Sequence, residues 1–340
     1  GMTRGVAPLI LGYQAFDPDL RILGVILNKV GGSRHESKLR AVIEHYTDVR
    51  VLGAVQRSDA LRIDERHLGL VPSNELAGSP EQIARMAALL RDQVDLAALR
   101  GVSDMAPAVP RLEAERLPPP GAPEVTLAYA ADSAFGFYYA GDLEALRAAG
   151  ARLVAFSPIH DRDLPPCDGL FLGGGFPETH MQALEANRSM RQAVAGFVAR
   201  GGPVYAECGG LMYLCDRLTW QGNTRKLCGV IPAGVEMHDK PQGRGYVQLR
   251  ETAAHPWPAI DGGGRTVRAH EFHYSALESV PDGLTFGYVV ERGHGLDGRH
   301  DGIVYRNLLA SYAHLRDTHD HPWARRFVEF VRDRAAPRRL

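Results

Sequence analysis

The sequence predicts an α/β protein: a parallel, doubly wound sheet with an antiparallel extension, preceded by a partial α/β unit. Three observations predict it. Strand-like and helix-like segments alternate from residue 124 to residue 214, as in sheets whose strands are joined by helical crossovers. Within that alternation an apolar strand runs straight into Cys208-Gly209-Gly210 and a helix. Residues 101–123 hold six prolines, which favour a semi-rigid connector over a continuous helix or a central strand and divide the chain.

Residues 2–100 read as an incomplete unit. Arg21 to Asn28 is a mostly apolar strand, and Ser33 to Tyr46 a helix with Leu39, Val42, Ile43 and Tyr46 at helical spacing and a Ser33/Glu36 capping box. Arg50 to Val55 is a second strand, and Ser79-Pro80-Glu81-Gln82 opens a second helix with a cap, a proline and an acid in its first turn. Two strands with two helices leave sheet edges uncovered, so this segment is expected to lack its own beginning.

Residues 124–336 read as a fuller domain. Val125 to Ala130, Arg152 to Ser157, Gly169 to Leu172 and the run ending at Glu207 are strands. Ala140 to Ala149 and Asn187 to Arg200 are helices closed by Gly150 and Gly201. Past Cys228 the texture turns to short β-rich runs, Gly245 to Arg250, Val267 to Tyr274 and Leu284 to Glu291, before an amphipathic helix over Pro322 to Arg334. The tail Arg338-Arg339-Leu340 reads as a frayed end.

Composition narrows the function classes. Lys+Arg (39) and Asp+Glu (40) nearly cancel without long blocks of one sign, so nothing general draws this chain to nucleic acid or an anionic membrane. No apolar stretch reaches the ~18 residues of a membrane span. Four cysteines without a C-x-x-C pair argue against a disulfide scaffold or structural zinc, and a reducing cytoplasm is the expected location. Gly1 before Met2 reads as a cleavage scar.

The run Pro203-Val204-Tyr205-Ala206-Glu207-Cys208-Gly209-Gly210-Leu211-Met212 has the order of a nucleophile elbow, with an amphipathic helix following the thiol. Backbone N–H groups at a helix start favour a thiolate and can hold an oxyanion. Alone, Cys208 is equally readable as a core cysteine. A cysteine nucleophile needs a base, and of 14 histidines the candidate is His314, at the end of the late strand Leu308 to Leu315. His270 and His273 point to opposite faces of one strand and make a poor metal pair; His294, His300, His319 and His321 read as surface. Gly173-Gly174-Gly175 after a strand is either a turn or a cradle of N–H donors, and an oxyanion hole would combine the amides of Gly174 and Gly209.

Asp132 to Tyr139, Phe156-Ser157-Pro158, Leu172 to Glu178, Ala206 to Leu214, Gln242 to Tyr246, His270 to Ser275 and Ser311-Tyr312-Ala313-His314 occur in order. Together they closely resemble the cobyrinic acid (hydrogenobyrinic acid) a,c-diamide synthase family, over nearly the whole chain. The resemblance implies a class I glutamine amidotransferase-like, flavodoxin-like sheet behind a partial P-loop-type domain. It implies that Cys208 releases ammonia from glutamine with His314 as base. The ammonia would amidate the a and c carboxylates of a corrinoid, cobyrinate or hydrogenobyrinate, after ATP with Mg²⁺ has activated them. Asn28, at the end of its strand, resembles the position that contacts adenine and is equally readable as an ordinary strand-end cap, and a homodimer is a candidate assembly. The Phe/Tyr-rich run Ala134 to Tyr139 and His270 to Ser275 are candidates for a macrocycle or domain contact as well as for core.

Two departures qualify the resemblance. An acid often lies two residues after the histidine in class I amidotransferases; here Arg316 stands there, and the orienting group is left unknown, with Asp317 not assigned to it. No G-x-x-x-x-G-K-[ST] occurs in the chain, so a truncated protein or a late gene start is expected, with no ATP hydrolysis or corrinoid amidation by these residues alone. The alternatives are an amidotransferase for another tetrapyrrole (nickel-sirohydrochlorin or cobyric acid), an amidotransferase-like docking module, and a cysteine hydrolase of esters or amides.

Overall fold

The computed structural model describes residues 2–63, 65–66, 69–70, 78–109, 121–259 and 266–335. Residues 110–120 of the proline-rich stretch and the Arg338-Arg339-Leu340 tail lie outside them. The chain divides into two units, residues 1–114 and 115–340.

In the first unit, α1 (Val6–Phe16), β1 (Gly24–Val30), α2 (Ser33–Tyr46) and β2 (Arg50–Gln56) are followed by the two-residue strands β3 (Glu65–Arg66) and β4 (Gly69–Leu70), then α3 (Ser79–Gln93) and α4 (Leu96–Asp104). β1 and β2 pair in parallel, and Leu39 and Ile43, one turn apart on α2, pack on Leu27, Val30 and Ile10. The capping box over Ser33 does not form. Gly32, at φ 116°, is the N-cap, and Glu36 is committed to Arg40 (2.8 Å) and Gln56 (2.9 Å) instead of reaching back. Gly78 likewise takes the cap expected at Ser79. α4 carries helix to Asp104, past the start of the expected connector, because the prolines begin only at Pro107.

The second unit runs β5 (Val125–Ala130), β6 (Phe135–Phe137), α5 (Ala140–Ala148), β7 (Ala151–Phe156), β8 (Gly169–Leu172), β9 (Gly174–Gly175), α6 (Met181–Ala186), α7 (Arg188–Ala199), β10 (Val204–Glu207) and α8 (Gly209–Leu214). It continues with β11 (Cys215–Trp220), β12 (Asn223–Lys226), β13 (Ile231–Met237), β14 (Gly243–Glu251), β15 (Thr266–His273), β16 (Ser275–Leu277), β17 (Thr285–Arg292), β18 (His300–Tyr305), β19 (Leu308–Ser311) and α9 (Trp323–Arg334). A nine-stranded sheet in the order β15-β14-β17-β18-β19-β10-β8-β5-β7 organises it. From β19 to β7 the neighbours are parallel, and from β19 outward to β15 they are antiparallel. A smaller sheet, β12-β11-β13-β16, packs beside it.

Strand alternation sorts the core into two layers. Val204 and Ala206 of β10 join Leu170, Leu172, Leu308 and Ala310 in one layer, with α7 and α8. Tyr205 points the other way, into a layer with Phe171, Leu309 and the α9 residues Trp323, Phe327 and Phe330. Each fully buried aliphatic or aromatic side chain contributes about 1.5–3 kcal/mol, so the central strands are held from both faces. Glu207, two residues after Tyr205, emerges on the Tyr205 side.

Candidate active site

β10 ends at Glu207, and Cys208 turns the chain at φ 46°, ψ −101°. A left-handed φ on a residue with a side chain costs about 1–3 kcal/mol and persists only where the surroundings enforce it. Here the Cys208 N–H donates to the Ser311 carbonyl (2.8 Å) and the Cys208 carbonyl accepts from Met212 N–H (3.0 Å). The turn also needs Gly210: a Cβ there would stand 2.0 Å from the Leu172 carbonyl oxygen. The helix after the thiol differs from the amphipathic one expected. α8 is a six-residue helix with every residue buried, because it is enclosed between β8 and β10 on one side and β11 and the loop after β9 on the other.

His314 lies three residues beyond the end of β19, not within the strand. Its main chain bridges to His270 of β15. The ring is buried, with Nδ1 3.4 Å from Glu207 Oε2 and the Phe137 ring edge-on at 5.1 Å. Burial pushes the imidazole down. The Cys208 sulfur and the charged Glu207 carboxylate beside the ring outweigh it and raise His314 to about 10. Gly174 closes against the ring, since a Cβ there would be 2.7 Å from His314 Cε1. Gly209 faces the same loop; its Cβ would meet the Gly175 nitrogen at 3.0 Å. Cys208, His314, Gly174 and Gly209 therefore adjoin one another. Asn28 belongs to the first unit, within β1 and not at its end, where its Oδ1 accepts the Lys29 N–H at 2.8 Å.

The comparisons with known proteins follow the same two-part division. The CobB/CobQ-like glutamine amidotransferase domain family matches residues 126–320, and the CobQ/CobB/MinD/ParA nucleotide binding domain family matches residues 2–71. "Cobyrinate a,c-diamide synthase" of Magnetococcus marinus is 43% identical over 98% of this chain and 72% of its own length. The protein of that name from Methanosarcina acetivorans is 36% identical over 92% of this chain and 67% of its own length. The chain belongs to the cobyrinate a,c-diamide synthase family. Its second unit has the class I glutamine amidotransferase-like α/β fold.

In this member of the cobyrinate a,c-diamide synthase family, Arg316 turns away from His314. Its guanidinium donates to Asp142 at 2.7 Å and lies over the Tyr139 ring at 4.8 Å. Asp317 Oδ1 is taken by the Ala324 N–H at 2.9 Å. Glu207 was not singled out in the sequence, although it stands next to the thiol. The available signal was an acid inside an otherwise apolar strand ending, a residue type almost never buried without a partner.

Other histidines divide differently from expectation. His319 is exposed, but His321 is buried beside Glu251, because the loop ahead of α9 folds onto the β14 end. His273 is buried too, stacked on Tyr312 with ring centres 3.9 Å apart. His300 pairs with Asp297 at 2.9 Å. The aromatic run Ala134 to Tyr139 splits, with Phe135 in the core and Phe137 exposed; Phe272 of the His270 to Ser275 run and Tyr246 of β14 are exposed as well. Among the described residues no cluster of three or more His, Cys, Asp or Glu is arranged to hold a metal, and no helix is long and apolar enough to cross a membrane.

Proposed function

We propose that this chain hydrolyses glutamine through Cys208 and His314 to provide ammonia for amidating the a and c carboxylates of cobyrinic or hydrogenobyrinic acid, a cytoplasmic step of cobalamin biosynthesis. The observation that carries the reading is the elbow at Cys208, turned at φ 46°, beside a buried histidine whose ring closes on Gly174 and lies 3.4 Å from the Glu207 carboxylate. His314 accepts the thiol proton, and the sulfur attacks the γ-carboxamide carbon of glutamine. The resulting oxyanion is met by the amides of Gly209 and Gly174. On collapse, the carbon–nitrogen bond breaks and His314 returns its proton to the departing ammonia. Water then attacks the thioester, losing its proton to His314, and releases glutamate.

The nucleotide is a separate matter. Asn28, exposed within β1, is the proposed adenine contact in the ATP-dependent enzyme. No phosphate-cradling P-loop sequence occurs among the 340 residues, so the residues present do not fit the phosphates and Mg²⁺ of ATP, and no step through them is assigned to this chain.

The test is glutamine hydrolysis by the unaltered chain and by Cys208→Ala and His314→Ala. The reading predicts loss in both, with exogenous ammonia still supporting amidation when Cys208→Ala is placed in an ATP-competent form of the enzyme. Hydrolysis that survives Cys208→Ala would remove the proposed nucleophile. A docking module without catalysis would give no hydrolysis in any form.

A further inference from the structure

We infer that Glu207 is the positioning residue of the pair, accepting a hydrogen bond from the Nδ1–H of His314 and thereby aiming the other ring nitrogen at Cys208. The inference rests on the reading of Cys208 and His314 as nucleophile and base. It also places the orienting acid one residue before the nucleophile, not two residues after the histidine.

The geometry leaves little choice of partner. His314 Nδ1 is buried and makes no hydrogen bond of its own, and the acceptor within reach is Glu207 Oε2 at 3.4 Å. The other carboxylate oxygen is already filled: Oε1 accepts the Tyr205 hydroxyl at 2.5 Å and the Leu315 N–H at 2.9 Å. Those two bonds fix the carboxylate between β10 and the backbone next to His314. The Oε2 oxygen is left directed at the ring. A small rotation of the imidazole closes 3.4 Å to an ordinary hydrogen bond.

Electrostatics points the same way. Glu207 is 4% exposed, and a buried carboxylate is tolerated only when paired and hydrogen-bonded. The ionisable groups that face the site are Tyr205 from β10, Cys208, His270 from β15, Tyr288 from β17, Tyr138, Tyr139 and Asp142 of the β6–α5 region, and Arg316. Arg316 is committed to Asp142, so His314 is the cation that meets Glu207. In an oriented acid–histidine pair of this kind the acid selects the tautomer and stabilises the imidazolium without itself becoming protonated.

The experiment measures glutamine hydrolysis and the pH dependence of Cys208 alkylation by iodoacetamide in the unaltered chain, Glu207→Gln, Glu207→Asp and Cys208→Ala. Glu207→Gln is expected to lower kcat about 10²-fold or more with KM little changed. It also moves the alkylation profile to higher pH, because the thiol loses its proton less readily to a less basic imidazole. Glu207→Asp recovers part of both. A purely structural role for Glu207 moves stability and leaves the alkylation profile in place. If Glu207→Gln is folded, hydrolyses glutamine within twofold of the unaltered chain and keeps its profile while Cys208→Ala is inactive, the inference about Glu207 is overturned and the nucleophile stands. Activity in Cys208→Ala instead overturns the nucleophile. Should Glu207→Gln not fold, NMR of His314 in the unaltered chain decides: a strongly downfield, exchange-protected Nδ1 proton, the mark of a hydrogen bond to a carboxylate, is expected, and an Nδ1 proton without that shift overturns the inference.

Discussion

His314 and His270 exchange main-chain hydrogen bonds: His270 N–H donates to the His314 carbonyl at 3.1 Å, and His314 N–H donates to the His270 carbonyl at 2.7 Å. His270 lies on β15, the outer strand of the antiparallel half, and His314 on the loop leaving β19 at the centre of the sheet. The antiparallel strands therefore curl until their outer edge meets that loop. The extension thus has a mechanical role in the proposed site, since it clamps the backbone of the base.

Breaking that clamp should misplace the base without touching its ring. His270→Pro removes the donated N–H, and glutamine hydrolysis is expected to fall by about 10²-fold, the usual consequence of displacing a catalytic group by ~1 Å. His270→Ala keeps both main-chain bonds and should lose much less. Steady-state kinetics on the two variants checks this; equal losses would mean the bridge does not set the position of His314.

Two glycines near the thiol should fail in different ways. A methyl group at Gly210 meets the Leu172 carbonyl at 2.0 Å, a backbone atom that cannot step aside, so Gly210→Ala should lower the thermal midpoint or abolish soluble expression. At Gly174 the obstacle is His314 Cε1 at 2.7 Å, a side chain that can rotate. Gly174→Ala is expected to keep near-native stability and lose most glutamine hydrolysis. Thermal unfolding and activity measured together separate the cases.

The second unit should lose stability in acid through one buried pair. Burial pushes Glu251 up, but the His321 imidazole 3.9 Å away, hydrogen bonds from Arg326, and the charges of His255 and Arg326 outweigh it and hold the carboxyl at about 2. A folded-state value below the ordinary 4.5 means the unfolded chain takes up the proton first. The stabilisation is therefore complete above about pH 4.5 and is lost as pH falls towards 2. Glu251→Gln leaves Arg326, 3% exposed, without its carboxylate. Urea unfolding at pH 7 should show a loss of about 3–5 kcal/mol, and the gap to the unaltered chain should narrow between pH 4.5 and 2.

Asp301 should act with the opposite sign. Burial raises its carboxyl to about 6 in spite of N–H bonds from Ala313, Tyr312 and Gly302. Between the ordinary 3.8 and about 6 the folded chain holds a proton that the unfolded chain has released. Its contribution is present below about pH 4 and is lost as pH rises through 6. Removing the carboxyl by Asp301→Asn should flatten the stability profile in that window, measured by unfolding at intervals of half a pH unit; a slope unchanged by the substitution would assign it to other groups.

Much of the frame was legible because it is written locally. Val125–Ala130 and Gly169–Leu172 are mostly apolar runs, and their observed limits are those the pattern predicts. The turn at Cys208 was visible because a strand end followed by a cysteine and two glycines reads as an elbow, and the chain turns there at φ 46°. Glu207 was not, since its importance depends on a loop more than a hundred residues later lying on the Tyr205 side of the sheet. His321 was misread for a related reason: its polar neighbours suggest surface, while Glu251 on a distant strand draws it inside. The amphipathic pattern expected for α8 failed because a second sheet covers the face that would otherwise meet water.

The central claim, that Cys208 is the nucleophile for glutamine, is tested most directly by labelling. Burial pushes Cys167 up to about 11 and Cys228 up to about 12, and raises Cys215 further, so these thiols should be inert near neutrality. The chain is treated at pH 7 with a glutamine analogue carrying an electrophilic γ-carbon, and the modified peptides are mapped by mass spectrometry with and without excess glutamine. The account predicts a single adduct on Cys208 that glutamine suppresses and that is absent from His314→Ala. Labelling of Cys167, Cys215 or Cys228 with Cys208 untouched, or a Cys208 adduct indifferent to glutamine, would contradict it.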